Sequence, residues 1–293
     1  MRNRNKPSIN RPRTGSSTLK RKQSAMSVVQ AGSGNGSAAA MPNYGAVHAV
    51  PVFEVLGSSS WPVEALYRIF EILIAVIGLI LGLPLMLLLA VLIRWDSPGP
   101  PLFFHTRPGR SKMVRGRELK GRLDLRPPPG GYESHKLYYV PSYFRMAKFR
   151  TMYSDSRSRF PEFYAYNFPP EEFHQQYGTR QNDPRVTRIG GILRKLSVDE
   201  LPNLWSVLVG DMRLVGPRAE APEVLRYYTC EEMYKFACKP GVTGLAQING
   251  RGLLNWGETL AWDLKYIRTR SAWLDMKIIL VTLKCVTLRW GAF

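Results

Sequence analysis

The sequence predicts a mainly α-helical protein associated with a membrane, and three observations support this fold class. Residues 72–93 form a run of 22 positions without a polar side chain. Apolar residues at Ile189, Ile192, Leu193 and Leu196 recur at helical spacing. Near the C-terminus, the tryptophans at 262, 273 and 290 alternate with cations on segments rich in Leu, Ile and Val. Such segments suit helices in the head-group layer, although a packed core helix would have the same pattern.

Composition limits the class of protein further. The 293 residues are 45% hydrophobic, which is enough to bury a core and excludes a wholly disordered chain. A formal net charge of +19 predicts anionic partners, but charge alone does not choose among nucleic acid, acidic lipid and nucleotide phosphates. The three cysteines lack C-x-x-C spacing, so neither a disulfide framework nor a zinc site is predicted. The four histidines are scattered, and none is assigned a catalytic role.

Residues 1–60 are predicted to be a disordered basic tail. The segment is rich in Ser, Asn, Gly and Ala, and its basic residues come early. It cannot bury enough apolar area to offset the entropy lost on ordering. No apolar stretch follows the charged start directly, so a signal peptide is not predicted.

Residues 61–95 are predicted to form the membrane helix. As a straight helix, its 22 apolar residues would be about 33 Å long, sufficient for a hydrocarbon core of roughly 30 Å. Pro84 removes a backbone donor and Gly78 and Gly82 loosen the same region, so a kink is expected. A kinked re-entrant helix would leave both basic flanks on the cytoplasmic face. An ordinary kinked spanning helix is the alternative.

Residues 96–293 are predicted to be a cytoplasmic catalytic domain. The basic, then Pro- and Gly-rich stretch 111–146 is interpreted as an inserted surface loop near anionic lipid head groups. The apolar residues Leu102 to Phe104 predict a short buried strand or an interface anchor, and Lys148 lies on another extended segment. Turn signals at 240–244 and 249–250 bracket an apolar, strand-like run, which is interpreted either as a structural hairpin or as a nucleotide contact.

The strongest chemical signal is the adjacent carboxylate pair Asp199 and Glu200, which lies in a segment rich in Arg and Lys. Acids among many cations suit a site for phosphate-bearing substrates. However, Ser197-x-x-Glu200 also fits a capping box, in which Glu200 only closes a helix start. In either arrangement Asp199 lies near a helix N-terminus, which favours an ionised carboxylate and a bound phosphate.

Six segments occur in an order that resembles the bacterial sugar transferases, the monotopic phosphoglycosyl transferases. They are KFRTM, DPRVTRIG, LRKLSVDELPNLWSVLVGDM, LVGPRAE, KPGVTGLAQING and DLKYIRTRSAWLDMKIIL, and the resemblance extends over about residues 62–290. It implies the compact form, without the four spanning helices of larger members. The implied fold is a kinked re-entrant helix and interfacial amphipathic helices around a small cytoplasmic α/β catalytic domain. The implied location is the cytoplasmic face of the bacterial inner membrane.

The resemblance also implies a reaction. Family members move a sugar-1-phosphate from a nucleoside diphosphate sugar, here a UDP-sugar, to polyprenyl (undecaprenyl) phosphate with release of UMP. Asp199 would be the nucleophile that forms a phosphosugar-aspartate intermediate, and Asp199 with Glu200 would bind Mg²⁺. The residues implied to bind the phosphates or the nucleotide sugar are Lys148, Arg194, Arg218 and Glu220. Ala219 stands where the family commonly has a second proline, so this loop is expected to be less stiff.

Such a transferase would start the synthesis of an exopolysaccharide, O-antigen, capsule or glycoprotein glycan. The expected partners are the UDP-sugar, the polyprenyl phosphate and anionic membrane lipid, without nucleic acid, and a homo-oligomer is compatible with the sequence. The alternative function is a membrane-tethered basic module that binds a polyanion or scaffolds other enzymes. A third hypothesis is a glycosyltransferase that releases a nucleoside diphosphate.

Overall fold

A computed structural model describes residues 47–51, 61–164, 182–250 and 253–287 of the chain. Residues 47–51 of the predicted disordered tail form two short strands that pair with strands later in the chain, so the prediction was wrong for these residues. The rest of that tail lies outside the described residues, as does Trp290 of the predicted interfacial pattern. About half of the described residues are helical, and the strands form small separate sheets. The prediction of one long apolar helix in a chain rich in helix is confirmed, and the placement of helices in the membrane stays a prediction.

Seven α-helices occur among the described residues. They are α1 (Trp61–Asp96), α2 (Ser156–Arg159), α3 (Arg188–Leu196), α4 (Asn203–Val209), α5 (Leu245–Ile248), α6 (Trp256–Thr269) and α7 (Ala272–Thr287). Short 3₁₀ turns connect several of them, and the turns that matter below are Val198–Glu200, Pro222–Tyr227 and Glu232–Ala237.

Nine short strands complete the described fold. They are β1 (Val47–His48), β2 (Val50–Pro51), β3 (Leu102–Pro108), β4 (Lys112–Arg115), β5 (Leu125–Arg126), β6 (Leu137–Val140), β7 (Tyr143–Phe149), β8 (Arg213–Val215) and β9 (Gly241–Thr243). Strand β3 pairs antiparallel with β7 from Leu102 opposite Phe149 to Pro108 opposite Tyr143. Strands β8 and β9 pair in parallel. The strand predicted at Leu102 to Phe104 is therefore present as the start of β3, but Phe103 and Phe104 are exposed, so the prediction of burial was wrong for them.

Helix α1 is continuous through Pro84 and is the one helix in the described part of the chain that is long and apolar enough to cross a membrane. Its apolar middle is mostly exposed, with Ile80 65% and Leu81 75% accessible. One side packs on α4, where a Cβ at Gly78 would lie only 2.8 Å from Leu204 Cδ1. Glycine at this position therefore allows the two helices to approach closely.

Both ends of α1 are bonded to the rest of the fold. Near the N-terminal end, the Glu71 carboxylate accepts hydrogen bonds from the Leu214 backbone N–H at 2.9 Å and from Arg213 Nε at 3.2 Å. At the C-terminal end, the Ile93 carbonyl accepts a hydrogen bond from the Arg150 guanidinium at 3.2 Å. The two ends of the helix thus contact one folded unit.

The predicted inserted loop, 111–146, contains regular structure. Strand β6 lies between β2 and β4 in an antiparallel sheet, while β5 pairs in parallel with β1. Leu119, Tyr138 and Val140 are buried and form a small core together with Ala49 and Leu125. The interpretation as a plain surface loop was wrong in this respect, because the segment 47–51, far away in sequence, supplies two strands and part of this core. Proximity to lipid head groups stays a prediction.

The hairpin interpretation of the run after residue 244 was also wrong. Leu245–Ile248 form the short helix α5, and β9 pairs with β8 rather than with a following strand. Glycine at 241 permits this parallel pairing, since a Cβ there would overlap the backbone of Gly216. The pairing decides the position of the loop at 216–220, which follows β8.

A second core, between α1, β7, α4, α6 and α7, holds the helices around the parallel strand pair. Trp262 is partly buried against it, whereas Trp273 is 80% exposed. The two interpretations of the C-terminal pattern therefore apply to different residues: Trp262 belongs to the core surface, and Trp273 remains available for an interface.

Candidate active site

Asp199 and Glu200 lie on a 3₁₀ turn between two helices. Helix α3 ends at Leu196, and the next residue, Ser197, adopts the left-handed conformation with φ of 59° and thereby turns the chain. The turn Val198–Glu200 follows, and α4 begins only at Asn203. The Ser197 side chain makes no capping hydrogen bond to this turn, so the capping-box interpretation is wrong. The carboxylates precede α4 instead of lying within its first turn.

Glu200 is paired with a cation from the sheet. Lys148 Nζ on β7 donates a hydrogen bond to Glu200 Oε1 at 2.5 Å, and both side chains are partly buried, at 20% and 30% exposure. Strand β7 is rigidly aligned by its seven-residue pairing with β3. The structure therefore brings Lys148 to the carboxylate pair, as the predicted phosphate site requires.

Arg194, in the last turn of α3, approaches the same place. Its Nε donates to Thr151 Oγ1 at 3.0 Å, and its charge affects the pKa of Asp199. Helix α3 docks closely on this segment, since a Cβ added at Gly190 would overlap the backbone carbonyl oxygen of Thr151. Thr187 caps the helix by accepting the Gly190 N–H at 3.0 Å. The position of Arg194 thus depends on a close contact that only glycine allows.

The electrostatics of Asp199 are balanced between opposing effects. Burial raises the pKa of its carboxyl group, and the charge of Glu200 raises it further, while Lys148 and Arg194 lower it. The net pKa lies above the ordinary value of 3.8. A partly desolvated carboxylate of this kind is a stronger nucleophile than a fully hydrated one, provided that neighbouring cations keep it ionised.

His105 belongs to this site, and sequence reasoning missed it. On β3 it lies two residues beyond Phe103, the partner of Lys148, so it shares a face with that lysine. Burial and the charges of Arg107 and Lys148 lower its pKa to about 2, so the ring is neutral at physiological pH. The ring accepts a hydrogen bond from Arg107 Nε at 3.4 Å. Only the register of β3 against β7 places His105 beside Lys148, and a single histidine in a strand does not predict such a position by itself.

Arg218 and Glu220 form part of a second cluster. Glu220 is buried, and its Oε1 accepts a hydrogen bond from Lys235 Nζ at 2.8 Å. The Arg218 backbone N–H lies 3.3 and 3.4 Å from the two carboxylate oxygens of Asp263, while its side chain is exposed. Burial of Glu220 favours a supporting role over direct ligand contact. Sequence reasoning did not single out Lys235 or Asp263.

The residues of the carboxylate pair fit a shared Mg²⁺ but not a closed metal centre. Among the residues that the structure describes, no three His, Cys, Asp or Glu side chains converge as a metal-binding group. Mg²⁺ often binds through one or two carboxylates, substrate phosphates and water, and Asp199 with Glu200 can supply the carboxylates. Binding of Mg²⁺ stays a prediction.

Comparison with known proteins decides the family. The profile of the bacterial sugar transferases matches residues 63–118 and 131–289. The chain belongs to the bacterial sugar transferase family. The family match includes both clusters described above and is interrupted at 119–130, inside the small β-structured segment. Residues 47–51 lie outside the match.

Individual family members resemble the chain at about one-third identity. It is 32% identical over 228 residues to the exopolysaccharide production protein ExoY of Rhizobium meliloti (strain 1021), covering 77% of this chain and 87% of that protein. It is 36% identical to the undecaprenyl-phosphate glucose phosphotransferase of Komagataeibacter xylinus, covering 74% of this chain but 35% of that longer protein. It is also 36% identical to the UDP-glucose:undecaprenyl-phosphate glucose-1-phosphate transferase of Caulobacter vibrioides, covering 73% and 67%.

Proposed function

We propose that this family member transfers a sugar-1-phosphate from a UDP-sugar to undecaprenyl phosphate, releases UMP, and thereby starts the assembly of a glycan such as an exopolysaccharide. The observation that carries the proposal is the half-buried Asp199, next to Glu200, with Lys148 and Arg194 close by. Relatives named for undecaprenyl-phosphate sugar phosphotransfer match this part of the chain.

In the first half-reaction, an Asp199 carboxylate oxygen attacks the phosphorus nearest the sugar. A new phosphorus–oxygen bond forms to Asp199, and the bond to the bridging oxygen breaks, so that UMP leaves with the electron pair. Lys148 and Arg194 offset the negative charge that would otherwise repel the approaching carboxylate. In the second half-reaction, a phosphate oxygen of undecaprenyl phosphate attacks the same phosphorus and displaces Asp199.

Asp199 and Glu200 would hold Mg²⁺ at this site. When bound, the ion supplies positive charge against the diphosphate. Lys148 keeps the Glu200 carboxylate in place through its hydrogen bond. The ring of His105 is neutral and adds no charge to the site.

We further propose that α1 is re-entrant and that the catalytic domain lies on the cytoplasmic face of the inner membrane. The ion pairs of Glu64 and Glu71 with Arg213 connect the N-terminal part of α1 to the unit that its C-terminal end also contacts. Strands β1 and β2, which precede the helix, pair within this same unit. If α1 crossed the bilayer, the contacts near its two ends would place parts of one folded unit on both sides of the hydrocarbon core, so these contacts support the re-entrant geometry.

Nucleoside monophosphate release is the direct test. The full chain, purified in detergent, is given Mg²⁺, undecaprenyl phosphate and UDP-glucose, UDP-galactose or UDP-N-acetylgalactosamine, the sugars named by its relatives. UMP release with at least one donor, lost in Asp199→Asn, is expected. Asp211→Asn, at an exposed acid, is the matched control and should retain activity.

Other outcomes point to the other hypotheses. UDP in place of UMP would assign the chain to the glycosyltransferases. No release by folded protein with any donor would contradict the enzyme and favour the membrane-tethered polyanion-binding module. Such a module has no need of an ionised Asp199, so Asp199→Asn would leave polyanion binding unchanged.

A further inference from the structure

A buried three-residue ion cluster lies beneath the loop that carries Arg218. Lys235 is 1% exposed, and its Nζ lies 2.8 Å from Glu220 Oε1 and 2.9 Å from Asp263 Oδ2. The three side chains come from three places: Lys235 from the 3₁₀ turn Glu232–Ala237, Asp263 from α6, and Glu220 from the loop after β8. The ammonium group of Lys235 therefore connects its own turn to α6 and to the loop after β8.

The backbone of the loop is held on both sides. Asp263 accepts the Arg218 N–H, and the Pro217 carbonyl accepts the Gly241 N–H at 2.9 Å. The backbones approach so closely that a Cβ at Gly216 would lie 2.6 Å from the Lys239 carbonyl oxygen. With its main chain fixed in this way, the exposed side chain of Arg218 extends from a rigid backbone.

The charges in the cluster are unequal. Two carboxylates share one ammonium group, so an ionised cluster retains one negative charge in a buried place, where such charge is costly. Burial opposes ionisation of Glu220, but the charges of Lys235, Arg218 and Arg107 keep its pKa below the ordinary range. The negative charge of Glu220 therefore attracts Arg218, and the charge of Lys235 determines the strength of this attraction.

We infer that Lys235 is a positioning residue that orients Arg218 for the diphosphate of the nucleotide donor by holding Asp263 and Glu220 in place. The inference rests on the proposed function, since it assigns Lys235 to the same donor site. Lys235 itself is buried and so is assigned no contact with the donor. Its effect passes through the backbone contact from Asp263 to Arg218 and through the charge of Glu220.

A double-mutant cycle on UDP binding tests this coupling. Binding of UDP to the full chain in detergent is measured for the wild type, Lys235→Met, Arg218→Ala and the double variant. Loss of a charged hydrogen bond to phosphate weakens binding by about tenfold or more, so Arg218→Ala and Lys235→Met should each do so. If Lys235 acts through Arg218, Lys235→Met should weaken binding by less than about twofold once Arg218 is alanine.

Lys265→Met is the matched control, because Lys265 is an exposed lysine on the helix that carries Asp263, and it should bind UDP like the wild type. Thermal unfolding shows whether each variant is folded. Should Lys235→Met fail to fold, Asp263→Asn, which keeps the side-chain shape, takes its place in the cycle.

The outcomes separate the two proposals. Equal fold-losses from Lys235→Met with and without Arg218 would overturn the positioning role while leaving the transferase intact. Unchanged UDP affinity in folded Lys235→Met would overturn it as well. Absence of UDP binding by the wild type would overturn this inference, and absence of UMP release would overturn the proposed function with it.

Discussion

Replacement of Glu71 by leucine tests where α1 lies. Glu71 is fully buried, and its carboxylate accepts hydrogen bonds from the Leu214 N–H, from Arg213 at 3.2 Å and from Arg68 at 3.4 Å. Leucine would join Ile69 and Phe70 to the apolar run at 72–93 and so extend it by three residues. In an ordinary spanning helix this change would favour the membrane-inserted state. In the folded arrangement of α1 on β8 it leaves Arg213 without its buried partner and Leu214 without its acceptor.

The expected loss is large. Removing one member of a buried ion pair costs about 3–5 kcal/mol in the free energy of unfolding. For a folded unit of 150–250 residues, about 1 kcal/mol corresponds to roughly 2–4 °C in the unfolding midpoint. We therefore expect Glu71→Leu to lower the midpoint by roughly 6–20 °C. The double variant Glu71→Leu/Arg213→Met should recover much of this loss, since replacing both partners by apolar residues is often nearly neutral.

The assay is thermal unfolding of the full chain in detergent, followed by tryptophan fluorescence at one fixed heating rate. Glu231→Leu, which places leucine at an exposed acid, is the control and should shift the midpoint little. A midpoint for Glu71→Leu at or above that of the wild type would refute the buried contact and support a helix that carries this position into lipid.

Three other predictions concern the site and its supports. Because burial and the Glu200 charge raise the pKa of Asp199, UMP release should fall as the pH drops through that pKa. Glu200→Gln should move this acid limb of the pH profile to lower pH. An acid limb that stays in place would contradict the assignment of Asp199 as the nucleophile. Gly190→Ala should lower the free energy of unfolding by about 1–3 kcal/mol, because the new Cβ would overlap the carbonyl of Thr151. Gly191→Ala is the control and should not lower it, since a Cβ at this position has room. Equal denaturant midpoints for the two variants would show that α3 does not dock closely on Thr151. Burial raises the pKa of Asp275 to about 6 from 3.8, so its contribution to stability is complete below the unfolded value and is lost as the pH rises to about 6. Asp275→Asn should make the unfolding midpoint fall less steeply as the pH rises to about 6. An unchanged slope would show that the pKa of Asp275 is not raised.

The local part of the site could be predicted from the sequence, because its motifs are short and contiguous. Asp199, Glu200 and Arg194 lie within seven residues of one another, so the local conformation at the end of α3 is enough to bring them together. Lys148 is distant in sequence, and its placement was predicted only through the family resemblance. The long helix was equally clear, since an apolar run of this length is typical of a membrane helix and rare elsewhere.

The rest depends on long-range packing. Lys235 is a cation in a stretch of mixed composition, and nothing local distinguishes a buried lysine from a solvated one. Its burial becomes evident only when Glu220 and Asp263 meet it from two other elements. His105 likewise depends on the register of β3 against β7. The hairpin at 240–250 was predicted wrongly because turn residues mark where the chain bends but do not specify its strand partner.

The pairing of β1 with β5 joins two pieces of chain that both lie outside the family match, 47–51 and part of 119–130. Val47 faces Leu125 and His48 faces Arg126 across this pairing. In a chimera with another family member, the two pieces would therefore have to be exchanged together. A graft that takes the insertion without the upstream strand, or the strand without the insertion, would expose an unpaired edge and an opened patch of core to solvent.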